Sequence, residues 1–293
     1  MRRLADMIVS VMLRGVVFMF SRLRHPRHPI AARILGRVIL SGKKKTVLRN
    51  MHAVLGTPPS GKGSGKQWST YCQYVGRTLI ELDWLIVQDP DIFRRHIVLE
   101  GEEALRSALS KGNGAMMLFS HFGNVGSLSA IGLHGYDFGM AARSLGLPSL
   151  DLSYQRKFDR QSTQWILTDR SMLLRGRDLL KRNGLFAVAI DFSVKNARSV
   201  WMEFGHSFLR VNCAPILLAL QCDAPIFYAS VRRLPDGRDR ITIVPLSDSP
   251  TEEFEPSSRS IASRAIQLLQ TDLSSSPATW WLWADCVLNA QDD

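Results

Sequence analysis

The sequence predicts an α/β fold: a mixed, mostly parallel sheet flanked by helices. Three observations carry this. Ala115-Met116-Met117-Leu118-Phe119 and Leu185-Phe186-Ala187-Val188-Ala189-Ile190 are unbroken apolar runs of strand length, the pattern of strands covered on both faces. Amphipathic helical stretches alternate with them. Near the C-terminus, Pro235-Asp236-Gly237 separates two strand-like segments closely enough to fold them into an antiparallel hairpin, which makes the sheet mixed.

Taken in order, residues 30–55 read as helix from the spacing of Ile30, Ile34, Leu35, Val38 and Ile39. Thr57-Pro58-Pro59-Ser60-Gly61-Lys62-Gly63-Ser64-Gly65 reads as a turn-rich connection; it lacks the gap and the preceding strand of a phosphate loop. A helix is predicted over 67–87, with Tyr71, Val75, Leu79, Leu82 and Leu85 on its apolar side. Strand 97–101 and helix 102–111, closed by Gly112, lead into strand 115–119. A loop at His121 opens a helix reaching about Leu133, and strand 138–142 follows. Helices at 150–162 and 171–182 precede strand 185–190, which ends at Asp191. Strand 200–204, helix 213–222, strand 225–231 and strand 240–244 are expected to complete the sheet, followed by a helix near 257–273 and the cluster Trp280-Trp281-Leu282-Trp283. No internal repeat is present. The expected organisation is a basic and apolar membrane-associating helix over 1–28 and one domain over 29–293, helical to residue 96 and α/β from 97.

Chain length and composition agree: 293 residues, 45% hydrophobic, suffice for a substantial core. The net charge of +11 is confined to residues 1–50, which hold twelve Lys and Arg but one acid, Asp6; the remainder is neutral. Apolar runs 7–13 and 15–20 lie between these cations, whereas nucleic-acid arms are polar throughout, so a membrane surface is the expected partner and nucleic acid is not. The apolar segment falls short of the ~20 residues of an uninterrupted span, and Arg14 breaks it. It reads as an interfacial helix or a marginal single span held on anionic lipid; the plainer alternative is a helix packed on the domain with solvated arginines. No small-x-small cleavage site follows it. Cys72, Cys213, Cys222 and Cys286 form no Cys-x-x-Cys pair and no His cluster accompanies them, which argues against a disulfide framework or a metal site and fits a reducing compartment.

The chemistry concentrates at Phe119-Ser120-His121-Phe122-Gly123-Asn124-Val125-Gly126. A histidine at the end of a buried strand, followed by a glycine turn into a helix, is where an α/β enzyme exposes a general base. This segment resembles the His-(four residues)-Glu/Asp motif of the lipid A late acyltransferases (lauroyl/myristoyl transferases) of the lysophospholipid acyltransferase superfamily, whose usual form is His-x-Gly-Asn-Trp-Glu. Further blocks match in order: Thr46–Met51, Gly76–Glu81, Leu99-Glu100-Gly101, Gly112-Asn113-Gly114, Arg143, Ala189-Ile190-Asp191, Phe204-Gly205-His206, Pro225–Val231, Arg233–Arg238 and Trp281-Leu282-Trp283.

The resemblance implies a glycerolipid acyltransferase-like fold, and acyl transfer to a hydroxyl, or less often an amine, of a lipid, glycolipid or specialised-metabolite acceptor. Acyl carrier protein or acyl-CoA would be the donor, no cofactor would be bound, and the setting would be the cytoplasmic face of a bacterial inner membrane. His121 would take the acceptor's proton, since a hydroxyl is a poor nucleophile until a base removes it. Backbone N–H groups of Gly123, Asn124 and Val125 would hold the oxyanion. Arg143 and Arg210 are candidates for a phosphate, Asp191 stands at the carboxyl end of a buried strand, and Phe204-Gly205-His206 fills the family's Phe-Gly-Arg block.

The chain departs from the pattern in several places. Gly126 occupies the acidic position and Val125 that of the tryptophan; Phe192-Ser193 replaces Gln-Asp; His206 replaces arginine; and Ala284-Asp285-Cys286 replaces the terminal His-Arg-Arg. The acid that orients a histidine base must then come from elsewhere, Asp191, Glu203 or Asp137, or be absent. Besides an acyltransferase, a weak acyl hydrolase and an inactive acyl- or carrier-binding subunit fit the sequence. Restoring an acid as Gly126→Glu would raise turnover if the motif geometry were kept.

Overall fold

The computed structural model describes residues 29–56, 63–144, 146, 148–192, 198–247, 254–286 and 288–289. The expected membrane helix over 1–28 and most of the 57–65 connection lie outside them. No helix among the described residues is long and apolar enough to cross a membrane.

The stretch read as one helix is two: α1 (Pro29–Ile39) and α2 (Lys44–Leu55), parted by a turn in which Gly42 takes a positive φ of 76°. The long α3 (Ser64–Val87) crosses α1 closely. A Cβ on Gly36 would lie 1.8 Å from the Cys72 carbonyl oxygen, and one on Gly76 would lie 1.9 Å from that of Ala32. Only glycine allows these backbones to meet. A short α4 (Pro90–His96) was hidden from periodicity by its length; Asp89 caps it through the Asp91 N–H, and Pro90 opens it.

From there the chain alternates: β1 (Ile97–Glu100), α5 (Glu102–Leu109), β2 (Ala115–Phe119), a 3-10 turn (Val125–Ser129) running into α6 (Ala130–Leu133), β3 (Phe138–Ala142), α7 (Pro148–Arg160), β4 (Thr163–Leu167), α8 (Met172–Lys181) and β5 (Leu185–Ala189). Then come β6 (Ser199–Phe204), β7 (Ser207–Asn212), α9 (Ala214–Gln221), β8 (Ile226–Arg233), β9 (Asp239–Ser247), α10 (Phe254–Ser275) and the two-residue β10 (Leu288–Asn289). The main sheet has seven strands in the order β1-β9-β8-β2-β5-β3-β4. All neighbours are parallel except β8 and β9, the expected hairpin.

The two apolar runs behave as their composition requires. Met116 and Leu118 of β2 enter one core layer with Phe186 and Val188 of β5, while Ala115, Met117 and Phe119 enter the other with Leu185 and Ala187. Two departures follow from sheet edges. β4, at the sheet's edge, carries no apolar run because only Thr163 and Ile166 of it are buried. Residues 200–204 do not complete the main sheet: as β6 they pair with β7 and, through it, β10 in a separate three-stranded sheet.

Candidate active site

Parallel neighbours end on the same side of a sheet, so β2, β5 and β3 deliver His121, Asp191 and Arg143 to one edge. There the His121 Nδ1 lies 2.8 Å from Asp191 Oδ1. The His121 backbone N–H donates to Asp191 Oδ2 at 2.7 Å, and the Trp280 indole N–H donates to the same oxygen at 2.7 Å. A carboxylate with both oxygens engaged accepts from Nδ1–H, which leaves Nε2 as the basic nitrogen. The Asp191 side chain is fully buried, whereas that of His121 is 24% exposed, so the imidazole faces outward from a fixed carboxylate. Of the three acids considered from sequence, this geometry selects Asp191. Asp137 is ion-paired with Arg182 and accepts from Gln164, and Glu203 is an exposed residue of β6.

The His121 loop is clamped on both sides. Trp281 N–H donates to the His121 carbonyl at 2.8 Å, and Gly123 N–H donates to the Thr279 carbonyl at 3.0 Å, making a short antiparallel bridge with the C-terminal segment. From α3, Tyr74 donates to the Gly123 carbonyl and Tyr71 to that of Trp281. Burial drives both phenols well above their ordinary pKa, so they are neutral donors. Gly123 sits at φ 70°, and a Cβ there would lie 2.0 Å from the Val231 carbonyl oxygen. Its N–H is spent on Thr279, which removes it from the oxyanion donors expected from sequence. Asn124 and Val125 remain, immediately before and at the start of the 3-10 turn.

Gly126 is buried, and a Cβ built on it would fall 2.0 Å from Leu82 Cδ1 and 3.3 Å from Asn124 Oδ1. The position given to the motif acid is thus filled by a leucine of α3, while Asp191 holds the imidazole instead.

The remaining candidates divide. Arg143 places its guanidinium 5.6 Å from the Phe192 ring centroid, and that ring lies 6.3 Å from the His121 ring, so Arg143 belongs to the same edge. Arg210 lies instead in the small sheet, opposite Trp201 and 5.9 Å from its ring. Phe204 is buried against Trp280 with ring centroids 5.2 Å apart, and so supports the group that fixes Asp191. Gly205 packs on the end of α2, where a Cβ would meet the Val54 carbonyl at 2.0 Å, and the His206 N–H donates to that same carbonyl. These contacts anchor the β6–β7 turn.

Sequence reasoning gave Trp280 no role at the site, because its N–H partner, Asp191, is 89 positions away. It also gave no role to Asn50 and Glu81 within their matched blocks. Asn50 donates to the Trp283 carbonyl and so ties down the segment bearing Trp280; Glu81 pairs with Arg233 of β8. Among the described residues no three His, Cys, Asp or Glu side chains gather at metal-ligand spacing.

The bacterial lipid A biosynthesis acyltransferase family matches over residues 1–284. No curated protein matches the chain. The family match spans nearly the whole sequence, and the chain belongs to that family of acyltransferases.

Proposed function

We propose, from this membership, that the chain is a working acyltransferase in which His121 is the general base and Asp191 replaces the family's motif acid. The observation that carries the reading is the 2.8 Å contact between His121 Nδ1 and the buried Asp191 carboxylate. In the reaction, His121 Nε2 takes the proton of an acceptor hydroxyl as its oxygen attacks the carbonyl carbon of an acyl thioester. The resulting oxyanion is held by the N–H groups of Asn124 and Val125. Collapse breaks the carbon–sulfur bond, and the imidazolium returns its proton to the departing thiolate. Asp191 stabilises the imidazolium throughout and holds the tautomer that leaves Nε2 unprotonated. Arg143, exposed beside Phe192, suits the phosphate of a phosphopantetheine-bearing donor, whether acyl carrier protein or acyl-CoA.

The proposed setting is the cytoplasmic face of a bacterial inner membrane, with residues 1–50 against anionic lipid. Within that stretch α1 supports the reading: Ile30, Ile34 and Val38, at a spacing of four, are 58–70% exposed beside basic residues. An inactive carrier-binding subunit would have no use for an oriented base and its buried carboxylate. The test is thioester consumption. Membranes containing the protein are incubated with labelled acyl carrier protein thioester, and acylated lipid is followed by mass spectrometry. Product above background that disappears in His121→Ala supports the reading; equal product from both removes it. Release of free fatty acid alone would assign a hydrolase.

A further inference from the structure

Next to the dyad along the same sheet edge lies a cavity of about 590 Å3 between α3 and the β8–β9 strands, reached across Phe122, Gly123 and Asn124. We propose that it seats the acceptor's head group, and that this head group is an uncharged polyol of glycerol or sugar type, not a phosphorylated one. The inference rests on the acyl-transfer reading above.

The lining excludes an acyl chain. Thr70, Gln73, Tyr74, Thr78, Ser276 and Thr279 line it; the Tyr74 hydroxyl donates to the Gly123 carbonyl, the Thr279 hydroxyl to the Ser276 carbonyl, and the Gln73 amide oxygen accepts from Arg33. Hydroxyls and amides keep lone pairs or donors beyond one such bond, and hydrocarbon would leave these unsatisfied. Asn124 adds a direct pointer to a polar ligand: it is 5% exposed, lines the cavity, and neither its amide oxygen nor its amide nitrogen meets a partner among the described residues. A buried amide left so is completed by a donor–acceptor ligand such as a hydroxyl.

Charge decides between a neutral and a phosphorylated head group. Three arginines line the cavity, but each is already matched. Arg233 donates to Glu81 at 2.8 Å and also pairs with Asp239; Arg77 donates to Glu81 at 2.7 Å; Arg232 donates to Asp272 at 3.1 Å. Three cations thus face three carboxylates. The Glu81, Asp239 and Asp272 side chains are 7%, 1% and 8% exposed. A phosphate recruiting Arg233 would leave Glu81 with Arg77 and the buried Asp239 carboxylate with the Ser127 hydroxyl in place of a cation, and breaking that buried pair costs more than a new charge-assisted bond returns. A polyol alternates with the same groups as donor and acceptor and leaves the ion pairs intact.

The experiment has a catalytic arm and a binding arm, both on the full chain. In the first, labelled dodecanoyl acyl carrier protein is offered with dodecyl glucoside, 1-dodecylglycerol or 1-dodecylglycerol 3-phosphate. The neutral acceptors should be acylated at least tenfold faster than the phosphate at equal concentration. Thr70→Trp, which narrows the cavity from an exposed rim position, should raise the neutral acceptors' KM at least tenfold. Preference for the phosphate, or an unaltered KM, overturns the proposal. In the second arm, calorimetry with octyl glucoside and octyl phosphate below their micelle concentrations reads the cavity without turnover. Octyl glucoside binding that weakens tenfold in Thr70→Trp supports the assignment; tighter octyl phosphate binding, or a glucoside affinity indifferent to the substitution, rejects it. Glucoside binding without His121-dependent thioester consumption would leave the cavity standing as a polyol site and end its role in acyl transfer.

Discussion

Asp191→Asn separates an orienting carboxylate from a merely buried polar residue, because the surroundings dictate how the amide must turn. Oδ2 of Asp191 accepts two N–H groups, from His121 and Trp280, both at 2.7 Å. An asparagine satisfies both only by turning its oxygen toward them, since the opposite orientation would leave two buried donors facing an NH2, at about 1–3 kcal/mol each. Its NH2 then faces His121 Nδ1 and donates to it. That forces the proton of neutral His121 onto Nε2, the nitrogen needed as base. In the serine-protease triad the equivalent exchange costs about 10⁴ in kcat; a loss of about 10³- to 10⁴-fold is expected here, or about 4–5.5 kcal/mol of transition-state stabilisation. The assay is single-turnover transfer from a labelled acyl thioester, with thermal unfolding as the control for folding. A loss below tenfold in a protein that melts normally would refute the assignment of Asp191 as the partner of the base.

Three further outcomes follow from the same geometry. Trp280→Phe keeps the ring packing on Phe204 and Trp283 but deletes one donor to Asp191; kcat should fall about 10- to 100-fold with acceptor KM unchanged, and an equal change in both would reduce Trp280 to a packing role. Gly126→Glu should not raise turnover, and burying its carboxylate against Leu82 should lower stability by about 3 kcal/mol or more; increased turnover in a kinetic assay would return the acid to the motif position. His134, whose Nε2 is buried without a partner among the described residues, is pushed below its ordinary pKa by burial, with Arg94 and Arg106 adding to the effect and Glu102 opposing it. The unfolded chain therefore binds this proton first, and stability drains away as pH falls from about 6.5. In urea denaturation from pH 7 to 5, His134→Gln should lose less stability than the wild type, and parallel losses would refute the linkage.

How much could be read in advance depended on whether a feature was local. The strands at 115–119 and 138–142 emerged at their expected bounds. The β8–β9 hairpin followed from its turn, and His121 from its place after a fully apolar strand. The edge strand β4 and the β6–β7 pair were harder, because half-covered strands carry mixed patterns that imitate loops and helices. Gly126 marked the motif position as altered without showing which carboxylate lies against the histidine.

The sequence by itself determined the α/β class, the two central apolar strands with the hairpin beside them, and the place of one histidine at a strand end. These are consequences of apolar spacing and turn chemistry within a few neighbouring residues. Only the tertiary structure decided which acid serves His121. Asp191 is 70 positions away and reaches the histidine because β5 lies beside β2. Trp280, from the far end of the chain, then fixes its second oxygen. Strand order is set by how whole layers pack, and no local pattern carries it. That packing sets a buried carboxylate against the His121 ring.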